Sequence, residues 1–116
     1  MSKILLVDDE PTVLKLSKLI LEKHGFIITA YDSPTDALSK ANPNEYDLLI
    51  SDLVMPEMNG LEMIQKFRSR RQDIKAIIIS ASADMAKLQK EAKPNTFFLS
   101  KPFQFDKLVE LIKSVL

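Results

Sequence analysis

The stretch Leu48 to Gly60, LLISDLVMPEMNG, sets an apolar run directly against an aspartate and then a loop of Pro, Glu, Met and Asn. Leu48 to Ser51 has the near-continuous apolar character of a strand covered on both faces. Pro56 and Gly60 shape the loop, and Asn59 is a good cap for a helix beginning just beyond it. The stretch is therefore the first half of a β-loop-α unit. Asp52 stands at its junction, either as a cap or as a reactive group.

Four further strand candidates repeat the pattern: Lys3 to Val7, Ile27 to Tyr31, Ala76 to Ser80 and Thr96 to Ser100. Amphipathic segments fill the intervals. The first runs from Pro11, suited to an early helical position, to a stop at Gly25, with Lys23 and His24 placed to face the negative end of the helix dipole. Ser33 and Pro34 open the second, Asn59 the third, Ser82 or Asp84 the fourth, and Phe105 to Leu116 forms the last. Alternation of five strands with five helices predicts an α/β fold with a doubly wound parallel sheet, and right-handed crossovers favour the flavodoxin-like order 2-1-3-4-5.

The 116 residues fit one domain, 1-116, with a core of its own. Sixteen basic and 16 acidic residues give no net charge, so nothing points to a nucleic-acid or membrane surface. No Cys is present, which excludes disulfides and thiol chemistry and suits a reducing, cytoplasmic setting. No apolar run approaches the roughly 20 residues of a membrane span. Function has to come from a local site.

In such sheets that site lies beyond the carboxyl ends of the strands. Strand one delivers Asp8 and Asp9, strand three Asp52, strand four Ser80 and strand five Lys101. Three crowded carboxylates repel one another unless a cation sits among them. A hard divalent ion such as Mg²⁺, held by carboxylates, a carbonyl and waters, resolves the repulsion. The acidic loop Asp8, Asp9, Glu10 would repel a bare phosphate, so phosphate chemistry here requires the metal. Asp52 is then a candidate nucleophile for an aspartyl phosphate, with Lys101 carrying developing charge and Ser80 donating to a phosphoryl oxygen.

Taken together, ILLVDDEP, DLLISDLVMPEMNG, AIIISA and FFLSKPF, in that order, resemble the receiver domain of two-component response regulators. The resemblance spans essentially the whole chain. It implies Asp52 as the phosphoacceptor, Asp8, Asp9, Asp52 and the Val54 carbonyl around Mg²⁺, Ser80 as switch hydroxyl, Phe98 as switch aromatic, Lys101 as counter-ion and a cis Lys101–Pro102 bond. A sensor histidine kinase or a histidine phosphotransfer protein is the implied donor, and an unknown downstream protein the target. The chain is expected to act as a monomer or a weak phosphorylation-linked dimer, and to be a switch that catalyses its own phosphorylation and slow dephosphorylation, not an enzyme with a turned-over substrate.

Two alternatives stand beside this reading. One is a degenerate receiver that signals by binding alone. The other is an aspartate-nucleophile phosphatase of the haloacid dehalogenase type, whose D-x-D-x-T pattern after strand one is not matched by DDEPT. Departures from the receiver pattern also carry expectations. Pro94 and Asn95 replace the usual Gly-Ala and should shorten the fourth helix or stiffen its exit, and Phe98 lacks a tyrosine's hydroxyl. Apolar Val54 and small Ser82, flanking the site, predict slow phosphoryl loss.

Other features read as structural. His24 suits a helix C-terminus, and Lys66, Arg68, Arg70 and Arg71 suit a solvated, dipole-complementing face. Leu14 and Leu21 lie on a stripe apart from Val13, Leu16 and Ile20, and are assigned to kinase docking beside Phe103 or to edge packing. Val109 and Leu116 leave the main apolar face of the last helix, as a partner or dimer surface would.

Overall fold

A computed structural model describes residues 2–81, 85–91 and 93–116 of the chain. Five parallel strands, β1 (Lys3–Val7), β2 (Ile27–Tyr31), β3 (Leu48–Asp52), β4 (Lys75–Ala81) and β5 (Thr96–Lys101), pair in the order β2-β1-β3-β4-β5. Helices α1 (Pro11–Lys23), α2 (Pro34–Lys40), α3 (Gly60–Arg68), α4 (Met85–Glu91) and α5 (Phe105–Val115) alternate with them, and a 3₁₀ turn at Pro43–Glu45 precedes β3. The doubly wound flavodoxin-like order anticipated from the alternation is the one observed. Strands three to five each run slightly past their expected ends, so that Asp52 and Lys101 belong to strand termini and not to loops. Ser82 and Asp84, the expected openers of α4, lie outside the described residues.

Strand alternation divides the core into two layers. Leu5, Val7, Leu49, Ala76 and Ile78 pack with Ala37 and Leu38 of α2 and with Met63, Ile64 and Phe67 of α3. Ile4, Leu6, Leu48, Ile50, Ile77 and Ile79 face Leu14 and Leu21 of α1 and Leu108, Val109, Ile112 and Val115 of α5. Both faces of β1, β3 and β4 are covered, which is why those strands read as unbroken apolar runs. Side-chain caps open α2 and α3, whereas α1 and α5 begin without one. Ser33 accepts from the Asp36 amide, Asn59 and Glu62 form a reciprocal capping box, and Gly25 takes a φ of +90° after α1. His24 Nδ1 lies 2.9 Å from the Ile20 carbonyl at that C-terminus, in keeping with a structural role.

Two expectations are overturned and a third holds only in part. Leu14 and Leu21 are buried in the core, while Val13, Leu16 and Leu19 are the exposed stripe of α1. Docking cannot be assigned to Leu14 or Leu21. Val109 is likewise buried, packed in one cluster with Leu108, Ile112 and Val115, leaving only Leu116 exposed of that pair. Finally, the basic group at the end of α3 is a solvated face only in part: Lys66 and Arg70 are exposed and Lys66 and Arg68 lie in the last turn, but all three guanidiniums are engaged. Arg68 donates to the carbonyls of Ile74 and Asn95 and to Thr96 Oγ1, Arg70 to the Leu38 carbonyl, and Arg71 to the carbonyls of Pro43 and Tyr46. Each guanidinium thus ties main-chain carbonyls of neighbouring segments to the end of α3. Burial without a carboxylate partner lowers the Arg68 pKa from its ordinary value. Asn95 has a φ of +65°, a left-handed conformation that Asn tolerates better than most residues, and Arg68 holds its carbonyl.

Candidate functional site

Backbone geometry at the switch point builds the site. After β1, the Asp8 amide still donates to the Tyr31 carbonyl, so the ladder carries Asp8 to the sheet edge before the chain turns into α1. Asp8 Oδ1 accepts from the Glu10 amide, and Glu10, not either aspartate, is the residue preceding α1. Neither Asp8 nor Asp9 is therefore taken up as the cap of α1. Asp52 pairs in register with Ile79, one residue before Ser80, and Lys101 pairs with Ala81, one residue after it. Register alone brings residues from four strands to one edge.

Asp8, Asp9 and Asp52 each offer a carboxylate oxygen within 4.8 Å of the others, and all three are half-buried. Lys101 Nζ lies 2.6 Å from Asp52 Oδ1. For Asp8, burial raises the pKa, the Glu10 amide opposes it, and the charges of Asp52 and Asp9 add to the rise against Lys101, leaving Asp8 above the ordinary carboxylate value. For Lys101, burial acts downward, but the hydrogen bond and charge of Asp52, with Asp8 and Glu10, outweigh it and raise the ammonium above its usual value. An all-oxygen, strongly anionic donor set of this kind fits a hard divalent cation and not a soft metal. The residues present fit Mg²⁺.

Ser80 is 3% exposed, and its hydroxyl has no hydrogen-bond partner among the described residues. Leaving such a group unpaired costs about 1–3 kcal/mol, so it marks a place where an acceptor from outside would be welcome. Phe98, in register with Ile78, is half-buried and packs on the core layer shared with α2 and α3. Val54 is 72% exposed in the loop after Asp52, and the Lys101–Pro102 bond is cis. Ser82 lies outside the described residues, so the expectation attached to it finds no counterpart here.

Two features of the loop were not legible in the sequence. Gly60 is required by contact: a Cβ there would collide with the Asp52 carbonyl oxygen and lie 2.9 Å from Ser51 Oγ. Glu57 has a φ of +75°, and its carboxylate accepts from Ser33 Oγ and Thr35 Oγ1, each at 2.9 Å. Nothing about a Glu in a Pro-Glu-Met sequence signals either property. A 630 Å³ hollow lined by Gln65, Arg68, Gln72, Lys93 and Asn95 lies at the opposite, amino-terminal edge of the sheet and is no part of this site.

The family model for the response regulator receiver domain matches residues 4–113, and the chain belongs to that family. Among individual relatives, it is 32% identical to the response regulator receiver protein CpdR of Brucella abortus, over all of this chain and 98% of that protein. It is 36% identical to the response regulator ArlR of Staphylococcus aureus, over all of this chain but 53% of that protein, and it spans 26% of the transcriptional regulatory protein GlrR of Escherichia coli. The structure of response regulator TrrA of Thermotoga maritima, in complex with Mg²⁺ and BeF, is 35% identical and superposes over the full length of both chains with a TM-score of 0.86. A receiver domain from Clostridium thermocellum, 27% identical, covers 99% of this chain and 94% of its own with a TM-score of 0.90. Among the described residues, no helix is long and apolar enough to cross a membrane.

Proposed function

We propose that this receiver domain is a phosphorylation-dependent signalling switch whose phosphoacceptor is Asp52. The observation that carries the proposal is the Asp52 carboxylate, fixed at a strand end with one oxygen 2.6 Å from Lys101 Nζ and clustered with Asp8 and Asp9. A carboxylate so held is pre-oriented, and the nucleophile loses little freedom on reaction. The phosphoryl group comes from a phosphohistidine of a sensor kinase or phosphotransfer protein. An Asp52 oxygen forms the new P–O bond as the P–N bond to the donor imidazole breaks, and the imidazole leaves with that electron pair.

Asp8, Asp9, Asp52 and the Val54 carbonyl would hold Mg²⁺, which supplies charge neutralisation for the carboxylates and the phosphoryl oxygens when bound. Lys101 stays protonated throughout, as its raised pKa favours, and offers its ammonium to a phosphoryl oxygen. The unpaired Ser80 hydroxyl gains an acceptor at the same moment. As Ser80 moves toward the phosphoryl group, Phe98 gains room to reorient, converting a local charge into a changed protein-binding surface. Val54 presents no side-chain group to orient an attacking water, which favours a long-lived aspartyl phosphate. TrrA in complex with Mg²⁺ and BeF is a relative whose metal-bound state supports the same reading here.

Intact mass after incubation with Mg²⁺ and acetyl phosphate tests it. One phosphoryl adduct is expected, absent in Asp52→Asn and in the metal-free control. Turnover of acetyl phosphate without an adduct would favour a phosphatase, and Mg²⁺ binding with neither adduct nor turnover would favour a receiver that signals by binding alone.

A further inference from the structure

Glu57 is a non-glycine residue in the left-handed region, at φ +75°, in the loop that leaves Asp52. Such a conformation is strained for a residue with a side chain and persists only where the surroundings over-determine it. Here the carboxylate does so. One oxygen takes the Ser33 hydroxyl and the other the Thr35 hydroxyl, 24 and 22 residues away in sequence. Ser33 is committed on both sides, since its Oγ also accepts from the Asp36 amide as the cap of α2.

Elsewhere the loop is held at its two ends and by Met55, which is buried in the core and accepts from Ser51 Oγ. The Leu53 amide donates to the Ile79 carbonyl, the Gly60 amide returns to the Leu53 carbonyl, and Asn59 is fixed by the capping box. Val54 stands exposed between the Leu53 and Met55 anchors, and Pro56 joins Met55 to Glu57, so the hold on Glu57 bears on how this stretch lies. Three carboxylates do not complete the coordination of a hard octahedral ion, so the neutral oxygens beside Asp52 must be held in place as well.

We infer that Glu57, through Ser33 and Thr35, is a positioning residue for the metal site, fixing the loop after Asp52 against α2. This rests on the metal-dependent reading above. The strained backbone and the bidentate carboxylate act together: the strain is tolerated because the latch sets the loop.

The full chain tests this in three forms: wild type, Glu57→Gly, and Ser33→Ala combined with Thr35→Val. Mg²⁺ affinity is measured by titration calorimetry and by amide chemical shifts of residues 53–59, and phosphorylation by acetyl phosphate is followed at limiting and saturating Mg²⁺. Glycine relieves the backbone strain while removing the latch, so Glu57→Gly should keep its melting temperature and yet bind Mg²⁺ about tenfold more weakly. Its phosphorylation should slow at limiting Mg²⁺ and recover at saturation. The hydroxyl double variant should weaken binding similarly, and all three substitutions together should add nothing further. Wild-type Mg²⁺ affinity in folded Glu57→Gly overturns the latch alone; a wild type that binds no Mg²⁺ overturns the latch together with the metal site.

Discussion

Asp8 carries the cost of the site. Its carboxyl is half-buried beside two others, and its pKa in the folded protein stands above the ordinary 3.8. A carboxylate whose folded-state pKa is raised destabilises the fold when ionised in both states; the penalty fades as pH falls through the folded-state pKa and is gone below the unfolded value. Without metal, Asp8→Asn should therefore melt higher than wild type at pH 7, by about 4 °C if the gain is about 1 kcal/mol. The gap should narrow as pH falls through the folded-state pKa and be closed well below 3.8, where Asp8 is protonated in both states. Thermal unfolding in EDTA across that range checks it, and an unchanged melting temperature at pH 7 would mean that Lys101 already offsets the crowding. The residues of this site were legible because each follows an apolar run directly, at the edge where α/β sheets bind ligands. Glu57 and Gly60 were not legible, since a latch 24 residues away and a close backbone approach leave no local pattern.

At the scale of elements, α1 shows where periodicity stops short. Both of its stripes are apolar, Leu14 and Leu21 on one and Val13 and Leu16 on the other, so pattern alone cannot say which faces the sheet. The crossover decides: it turns Leu14, Ser17 and Leu21 inward and leaves Leu16 48% and Leu19 53% exposed. Substitution separates the two stripes sharply. Leu21→Ala should cost about 3 kcal/mol, as a fully buried leucine does, while Leu16→Ala should cost less than about 0.5 kcal/mol. Urea midpoints at unchanged m-value measure both, and equal losses would place the core on the wrong stripe. The arginines at the end of α3 were read only in part for a related reason. The acceptors of Arg70 and Arg71 are main-chain carbonyls 25 to 32 residues away, and a sequence shows the donor without the acceptor.

At the scale of the whole molecule, the order β2-β1-β3-β4-β5 places β1 and β3 side by side, so two strands distant in sequence present their aspartates together. The sheet is the rigid part, with β1, β3 and β4 covered on both faces, and the acidic edge is the part that needs a counter-charge. A cation bound there stabilises the entire fold, because the unfolded chain has no such cluster to bind it. At a Mg²⁺ concentration 100 times the dissociation constant the gain is about 2.7 kcal/mol, which for a domain of this size is roughly 10 °C in melting temperature. The rise should continue logarithmically with concentration and vanish in the Asp8→Asn, Asp9→Asn double variant at constant ionic strength. Because that variant also sheds the carboxylate repulsion, it should start above the metal-free wild type and be overtaken by it as Mg²⁺ is added. Crossing of the two melting curves is the expected signature of a fold that gives up stability at one edge to bind an ion there; parallel curves would assign the acidic edge to solvation alone.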